Sequence, residues 1–400
     1  MKGRNTCRLA VVASHPIQYF TPLYQRLAAL PDIELDVFFC RDFGVRARFD
    51  KQFNQSVVWD TDLLDGYRHR FLWSASPIRD PFNPLHAINP GAFTHLLRGY
   101  DAVWVNGYLY PSNWFAAAAA ALRNTRFLVR SELRLMDRPR RWFDPVRDRI
   151  IRSWIKHADA LLYIGEANRE AYLHYGARDE QLHFVPYAAD VDALQRAGRV
   201  AAEQRAQMLP TWGLPADRVI VLFVGKLFEK KQPAAMLHLA SQPELSSKVH
   251  IAIAGSGPQG PSLQDECLRR GLTNMTWLGF VNQSQLPELY GLADVYVIPS
   301  LWETWGLVLS EAMAAGAAPV ASSDVSASRD LIPTEETGFT FAPGDWDALT
   351  RYVTRLVEDP QLRARIGRAA QKRSAQYSYD VAVRGIVGAL SSFGLCSWAA

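Results

Sequence analysis

The sequence predicts an α/β protein of two doubly wound domains. Three observations carry that prediction: two series of short apolar runs alternating with helical stretches, a strand-poor connector between the series, and a length of 400 residues. One hydrophobic core rarely organises so long a chain, so two domains are expected. Short apolar runs bounded by turn signals suit parallel strands whose sheet is covered by helices on both faces.

The first series is Arg8–Ala13 (RLAVVA), Leu35–Phe39 (LDVFF), Ala102–Val105 (AVWV), Phe127–Val129 (FLV) and Ala160–Ile164 (ALLYI). Thr21-Pro22 predicts a helix entry, with the threonine hydroxyl as cap, Pro at the first helical position, and Leu23, Leu27 and Leu30 on one face. The six alanines Ala116–Ala121 read as a close-packed helix segment. From about Val185 the chain becomes strand-poor, with Pro and Gly near the end of the stretch, which places the domain boundary near residue 205. The second series follows: Val219–Val224 (VIVLFV), Val249–Ala254 (VHIAIA), Met275–Leu278 (MTWL), Val295–Ile298 (VYVI) and Ala318–Ala321 (APVA).

Composition narrows the function. Apolar residues make up 48% and charged residues 21%, an ordinary globular balance, and a net charge of +4 is too mild to make nucleic acid the main partner. Cys7, Cys40, Cys267 and Cys396 show neither paired spacing nor neighbouring histidines, which argues for a reducing compartment and against a disulfide framework or zinc site. The apolar run near the N-terminus is too short for a signal peptide, and no stretch approaches the roughly 20 apolar residues of a spanning helix. A cytoplasmic protein is expected. One segment departs from the mild overall charge: Arg123–Lys156 holds eleven Lys/Arg against four Asp/Glu, with Trp142, Phe143 and Trp154 interleaved. It reads either as a solvated helix face or as a surface for an anionic membrane or phosphorylated acceptor.

The chemistry gathers in Ser300–Gly316, SLWETWGLVLSEAMAAG. Glu303 lies in the loop after a strand, at the edge where open α/β sheets bind ligands. Gly306 opens a helix that turns Leu307, Leu309 and Met313 to the core, and Gly316 stops it. The helix start suits a phosphate, and Glu311 sits roughly 7 Å beyond it at 1.5 Å per residue. Two acids would then bracket an anion and accept hydrogen bonds from hydroxyls on either flank, the layout of a nucleotide sugar. Alternatively Glu303 is a solvated loop acid and Glu311 a paired buried one. VLFVGKLFEKKQP (Val221–Pro233) runs a strand into Gly225, Lys226, Lys230 and Lys231, ammonium groups able to neutralise a diphosphate leaving group. IAGSGP (Ile253–Pro258, with Gly255) and WLGFV (Trp277–Val281, with Phe280) end further strands, although IAGSGP lacks the full dinucleotide fingerprint.

Taken in order with TGFTFAPGD, these stretches resemble the retaining glycosyltransferases of family 4, which have the GT-B fold of two Rossmann-like domains facing a central cleft. The similarity runs from about Val219 to Tyr379. It implies an acceptor-binding domain over 1–205, a donor-binding domain over 206–377, and a C-terminal helix of about 378–400 crossing back onto the first. It implies that Glu303 contacts the donor sugar, Glu311 the ribose, and the backbone from Thr304 and Trp305 through Gly306 to Leu307 the diphosphate. Lys226 and Lys231 match the family's basic pair, the first usually being Arg, and the region of Phe280 borders the nucleobase. The N-terminal half resembles the family less tightly. Its first strand ends in ASHPIQYFTP, without the usual glycine-rich turn, so His15 and Gln18 become candidate side-chain substitutes. Asn106, Arg130 and Glu132 follow other strands and are candidates for acceptor or donor contact; a structural Arg–Glu pair is the rival reading.

The activity so implied is transfer of a sugar from a nucleoside-diphosphate donor, UDP- or GDP-linked, to an acceptor hydroxyl with retention. The departing diphosphate assists deprotonation, and neither metal nor other cofactor takes part. The acceptor could be a saccharide, a lipid-linked sugar or a small molecule, in polysaccharide or glycoconjugate synthesis. Rival readings are a sugar phosphorylase, a nucleotide-dependent oxidoreductase and a non-catalytic carbohydrate-binding protein of the same fold.

Overall fold

The computed structural model describes residues 6–45, 48–50, 52–78, 83–135 and 141–396. The strands run β1 (Cys7–Ala13), β2 (Ile33–Phe39), β3 (Arg48–Asp50), β4 (Gln55–Val57), β5 (Arg68–Phe71), β6 (Ala102–Asn106), β7 (Arg126–Arg130), β8 (Ala160–Tyr163) and β9 (Leu182–Phe184). There follow β10 (Val219–Val224), β11 (Val249–Ala254), β12 (Met275–Gly279), β13 (Val295–Ile298), β14 (Ala318–Ser322) and β15 (Phe339–Phe341). The chain forms two units: Met1–Arg46, Asp62–Pro186 and Tyr379–Ala400 in the first, Ala47–Thr61 and Tyr187–Ser378 in the second.

In the first unit seven parallel strands are ordered β5-β2-β1-β6-β7-β8-β9. The register sets Leu9 of β1 beside Leu35 of β2 and Ala102 of β6, and all three are buried. The order reverses between β1 and β6, so a crevice opens beyond their C-terminal ends. The helix Pro111–Arg123 packs its polyalanine run closely, burying Ala116, Ala119 and Ala120. The C-terminal helix Tyr379–Ser392 also belongs here: Asp380 pairs with Arg26 at 2.5 Å, and the Tyr379 hydroxyl donates to the Tyr19 carbonyl at 3.1 Å.

In the second unit six parallel strands are ordered β12-β11-β10-β13-β14-β15. Here the order reverses between β10 and β13. Its core joins Val221, Phe223, Ile251, Val297 and Val320 to Leu349, Val353 and Leu356 of the helix Trp346–Glu358.

Several expectations differ from the structure. The Thr21 hydroxyl does not cap its helix; it donates to the Leu63 carbonyl at 3.0 Å, and Phe20 stands at the cap position. Leu307 is only half-buried, because it is the first residue of its helix. The strand-poor connector does not end the first unit near 205. Its helix Val191–Met208 lies in the second unit, where Arg205 binds Asp294 at 2.5 Å and the Leu292 carbonyl at 2.8 Å. Strands β5, β9 and β15 were missed for a physical reason. Each has only three or four residues, and β5 (RHRF) is an exposed edge strand without an apolar signature. The hairpin of β3 and β4, which turns through Asn54 at φ 54°, belongs to the second unit although the first half of the sequence encodes it.

Candidate functional site

The reversal between β10 and β13 puts two loops side by side, and those loops carry the residues singled out above. After β10 come Gly225, Lys226 and the short 3-10 turn Glu229–Lys231; after β13 comes Glu303. Lys231 Nζ lies 2.5 Å from Glu303 Oε1, and Lys230 Nζ lies 3.6 Å from Oε2 and 3.6 Å above the Trp302 ring. The loops are also tied through backbone, with Leu301 N–H donating to the Lys230 carbonyl at 2.8 Å.

Glu303 is held rigidly. Its N–H donates to the Asp324 carbonyl at 3.1 Å, and its own carbonyl accepts the Ser326 hydroxyl at 2.9 Å. The side chain is 10% exposed. A largely buried carboxylate next to two ammonium groups is therefore placed by its backbone rather than by side-chain chance. This is not a solvated loop acid.

Gly306 follows at φ 107°, where an added Cβ would sit 2.7 Å from Val325 Cγ1, so both backbone sign and space select glycine. It caps the helix Leu307–Ala315, which stops at Gly316 in the left-handed conformation. Trp305 is buried with its ring 5.4 Å from that of Tyr377, leaving its main chain rather than its indole to meet a ligand. Thr304, between Glu303 and Trp305 in sequence, is half-buried. One turn on, Glu311 accepts the Tyr290 hydroxyl at 2.8 Å. Burial pushes its carboxyl above the usual carboxylate range, and the tyrosine hydrogen bond pulls the other way.

Gly255 ends β11 at φ 152°, and a Cβ there would fall 1.8 Å from the Gly225 carbonyl oxygen. The β10 and β11 turns thus approach through paired glycines. Lys226 points to the hairpin: its Nζ donates to Gln52 Oε1 at 2.7 Å and Asp50 Oδ2 at 3.1 Å. Phe280, just past β12, is half-buried against Phe53 and Trp59, with ring centroids 5.1 and 6.0 Å apart. Sequence reasoning missed Asp50, Gln52, Phe53 and Trp59. Their signal was aromatic residues in an otherwise polar stretch without strand periodicity. Tyr290 was also missed, since nothing in the sequence pairs it with Glu311.

In the first unit the analogous crevice holds His15 after β1 and Asn106 at the end of β6, with Arg130 ending the neighbouring β7. His15 Nδ1 lies 3.0 Å from the Ser14 hydroxyl, and its ring meets Phe43 edge-on at 5.8 Å. Burial, and then the nearby His86, push the imidazole down to about 4, so it is neutral at pH 7. Arg130 is buried with its guanidinium 4.8 Å from the centre of the Phe20 ring. Glu132 is exposed, Gln18 is half-buried, and the Asn106 carbonyl accepts the Asn113 amide at 2.8 Å.

Among the described residues, no group of three or more His, Cys, Asp and Glu is placed to hold a metal ion, and no helix is long and apolar enough to cross a membrane. Of the basic segment, residues 136–140, with Asp137, Arg138 and Arg140, lie outside the described residues.

Comparison with known proteins bears on both units. Residues 204–373 match the family described as glycosyl transferases group 1, and residues 16–188 match the glycosyl transferase 4-like domain. Among curated relatives, a D-inositol 3-phosphate glycosyltransferase of Streptomyces avermitilis is 32% identical over 248 residues, which are 59% of this chain and 50% of the relative. The chain thus spans about half the length of that relative. An alpha-D-kanosaminyltransferase of Streptomyces kanamyceticus is 28% identical, covering 68% of this chain and 70% of its own. Among solved structures, Anabaena HepE in complex with UDP superposes with a TM-score of 0.72 at 18% identity, covering 96% of this chain and all of that one. Sucrose-phosphate synthase of Thermosynechococcus elongatus gives 0.71 at 21%, over 98% of this chain. These likenesses establish the GT-B fold for the two sheets.

Proposed function

We propose that this chain, which belongs to the group 1, family 4-like glycosyl transferases, moves a sugar from a nucleoside-diphosphate donor to an acceptor hydroxyl with retention of configuration. The observation that carries the reading is the Glu303–Lys231 pair at the β10–β13 reversal, next to the glycine-capped start of a helix. The second unit is the donor-binding one. The helix start and Lys231 take the diphosphate, and Lys231 and Lys226 stabilise the charge that develops on it as the glycosidic bond breaks. Glu303 and Glu311 accept hydroxyls of the sugar and ribose and hold the donor in its reactive pose. The transition state is oxocarbenium-like. The complexes of HepE with UDP and with UDP-glucose support a nucleotide-sugar donor here.

The first unit takes the acceptor at the β1–β6 crevice, with neutral His15, Gln18, Asn106, Arg130 and Glu132 as its contacts. A membrane-associated, lipid-linked acceptor is supported by the surface of the helix Asp144–His157. There Trp142 is 91% exposed and Val146 62%, beside exposed Phe143, Ile150, Arg141, Arg149, Arg152 and Lys156. Asp144 and Asp148 are both paired to Arg147. Aromatic and basic groups on one face suit the anionic cytoplasmic leaflet, which makes the protein cytoplasmic and peripheral, in glycoconjugate synthesis.

Thermal shift against UDP, GDP, ADP and dTDP and their sugars tests the donor site, and a selective shift lost in Lys231→Ala is expected. Phosphate-dependent turnover without nucleotide would instead make the protein a phosphorylase. Co-sedimentation with phosphatidylglycerol vesicles, weakened in Trp142→Ser and absent with phosphatidylcholine, tests the membrane face.

A further inference from the structure

The hairpin of β3 and β4 engages the second unit at two points. At one, Lys226 Nζ donates to Gln52 and Asp50 and lies 4.5 Å above the Phe53 ring. At the other, Asn282 Nδ2 donates to the Val58 carbonyl at 2.8 Å, and Asp60 accepts the Ser284 N–H at 3.3 Å together with the Ser284 hydroxyl. Between these points Phe53 and Trp59 cover Phe280. The hairpin is thus laid across the end of the sheet from the β10 turn to the loop beyond β12.

Lys226 is largely withdrawn from water, with 24% of its side chain exposed. Burial pulls its ammonium below the ordinary lysine range, and Asp50 opposes that pull. A buried ammonium with no anion is costly, and one already paired with a carboxylate offers less net charge to a second anion. Asp50 lies on a short two-stranded hairpin rather than in the sheet core, so it can leave without disturbing β10. We propose that Asp50 is the resting counterion of a donor-site lysine. Donor binding exchanges the Asp50 carboxylate at Lys226 for a diphosphate oxygen, and release of the nucleoside diphosphate is the reverse exchange. The inference rests on the reading of Lys226 as a diphosphate contact. It adds that a segment encoded in the first half of the chain sets donor affinity by competition. Each exchange swaps one anion for another at the same ammonium, so the lysine is never left uncompensated, and the affinity for product is held down.

The test is a double-mutant cycle on the full chain. Equilibrium binding of UDP, GDP, ADP and dTDP is measured for wild type, Asp50→Asn, Lys226→Met and the double variant. Competition predicts that Asp50→Asn tightens the preferred nucleoside diphosphate by about two- to fivefold, the range of one partly exposed ion pair. It also predicts that the same substitution changes nothing when Lys226 is already Met. Asp50→Asn binding that is unchanged or weaker beside a weakened Lys226→Met overturns the exchange and leaves the donor site standing. Wild type that binds none of the four, or Lys226→Met that binds as wild type, overturns the role of Lys226 itself, and the inference with it.

Discussion

Beyond β10 and β13 the second unit gathers three lysines and two carboxylates, with Glu303 paired to Lys231 and Lys226 to Asp50. Beyond β1, β6 and β7 the first unit gathers a neutral imidazole, amide side chains and an arginine whose guanidinium lies over an aromatic ring. Both sets occupy the same place in the same kind of sheet, at the reversal of strand order. On the function proposed above, the difference lies in what each would hold. A diphosphate is a multiple anion that needs compensating charge wherever it binds, so its site is written in Lys and Glu. A hydroxyl acceptor is neutral and is selected by shape and hydrogen bonds, which many residue types supply.

The comparison can be broken at its strongest point first. Glu303→Ala should lower kcat by about a hundredfold or more and also lower the thermal unfolding midpoint, since Lys230 and Lys231 lose their shared counterion. Turnover at the wild-type rate would remove the second unit's edge from catalysis. Lys231→Ala should cost about tenfold or more in kcat/KM for the donor and leave the acceptor KM alone; an equal loss in both would erase the contrast between the edges.

A subtler change sharpens the same edge. Tyr290→Phe removes the hydrogen bond that holds the Glu311 carboxyl down against burial, so the carboxyl should protonate at a higher pH. The donor KM should rise a few-fold, and the acid limb of donor binding should move upward in pH. A pH profile identical to wild type would make Tyr290 a packing residue only.

The last test belongs to the first edge and is read in stability rather than in turnover. His15 titrates at about 4 in the folded protein, below its ordinary 6.5. The unfolded chain therefore binds the extra proton first, and stability falls as pH drops from 6.5 toward 4. The loss is no more than about 3 kcal/mol. Urea midpoints across that window should slope less in His15→Gln. An unchanged slope would place the acid sensitivity elsewhere.

How much was legible follows the same contrast. The strands of the second series stood out because both faces are buried, so VIVLFV and VHIAIA are continuously apolar, with matching limits in the structure. The turn that carries Glu303, Gly306 and Glu311 was legible because an apolar strand, a glycine cap and an apolar helix follow one another there. The exposed edge strand β5 and the hairpin were not, since short polar strands are defined by their partners rather than by their own periodicity. Lys226 could be recognised as a cation, but its engagement by Asp50, 176 residues away in sequence, depends on tertiary structure.

That long-range traffic has a consequence for synthesis. The last helix, Tyr379–Ser392, completes the first unit, yet it is made roughly two hundred residues after β9. During translation the first sheet must wait, with the surface around Arg26 and Tyr19 uncovered, while the whole second unit emerges. The hairpin waits as well, until β10 and β12 supply its footing. A nascent chain halted between the units would expose both unfinished surfaces, so dividing this protein at its connector would yield two fragments that each lack a piece encoded in the other.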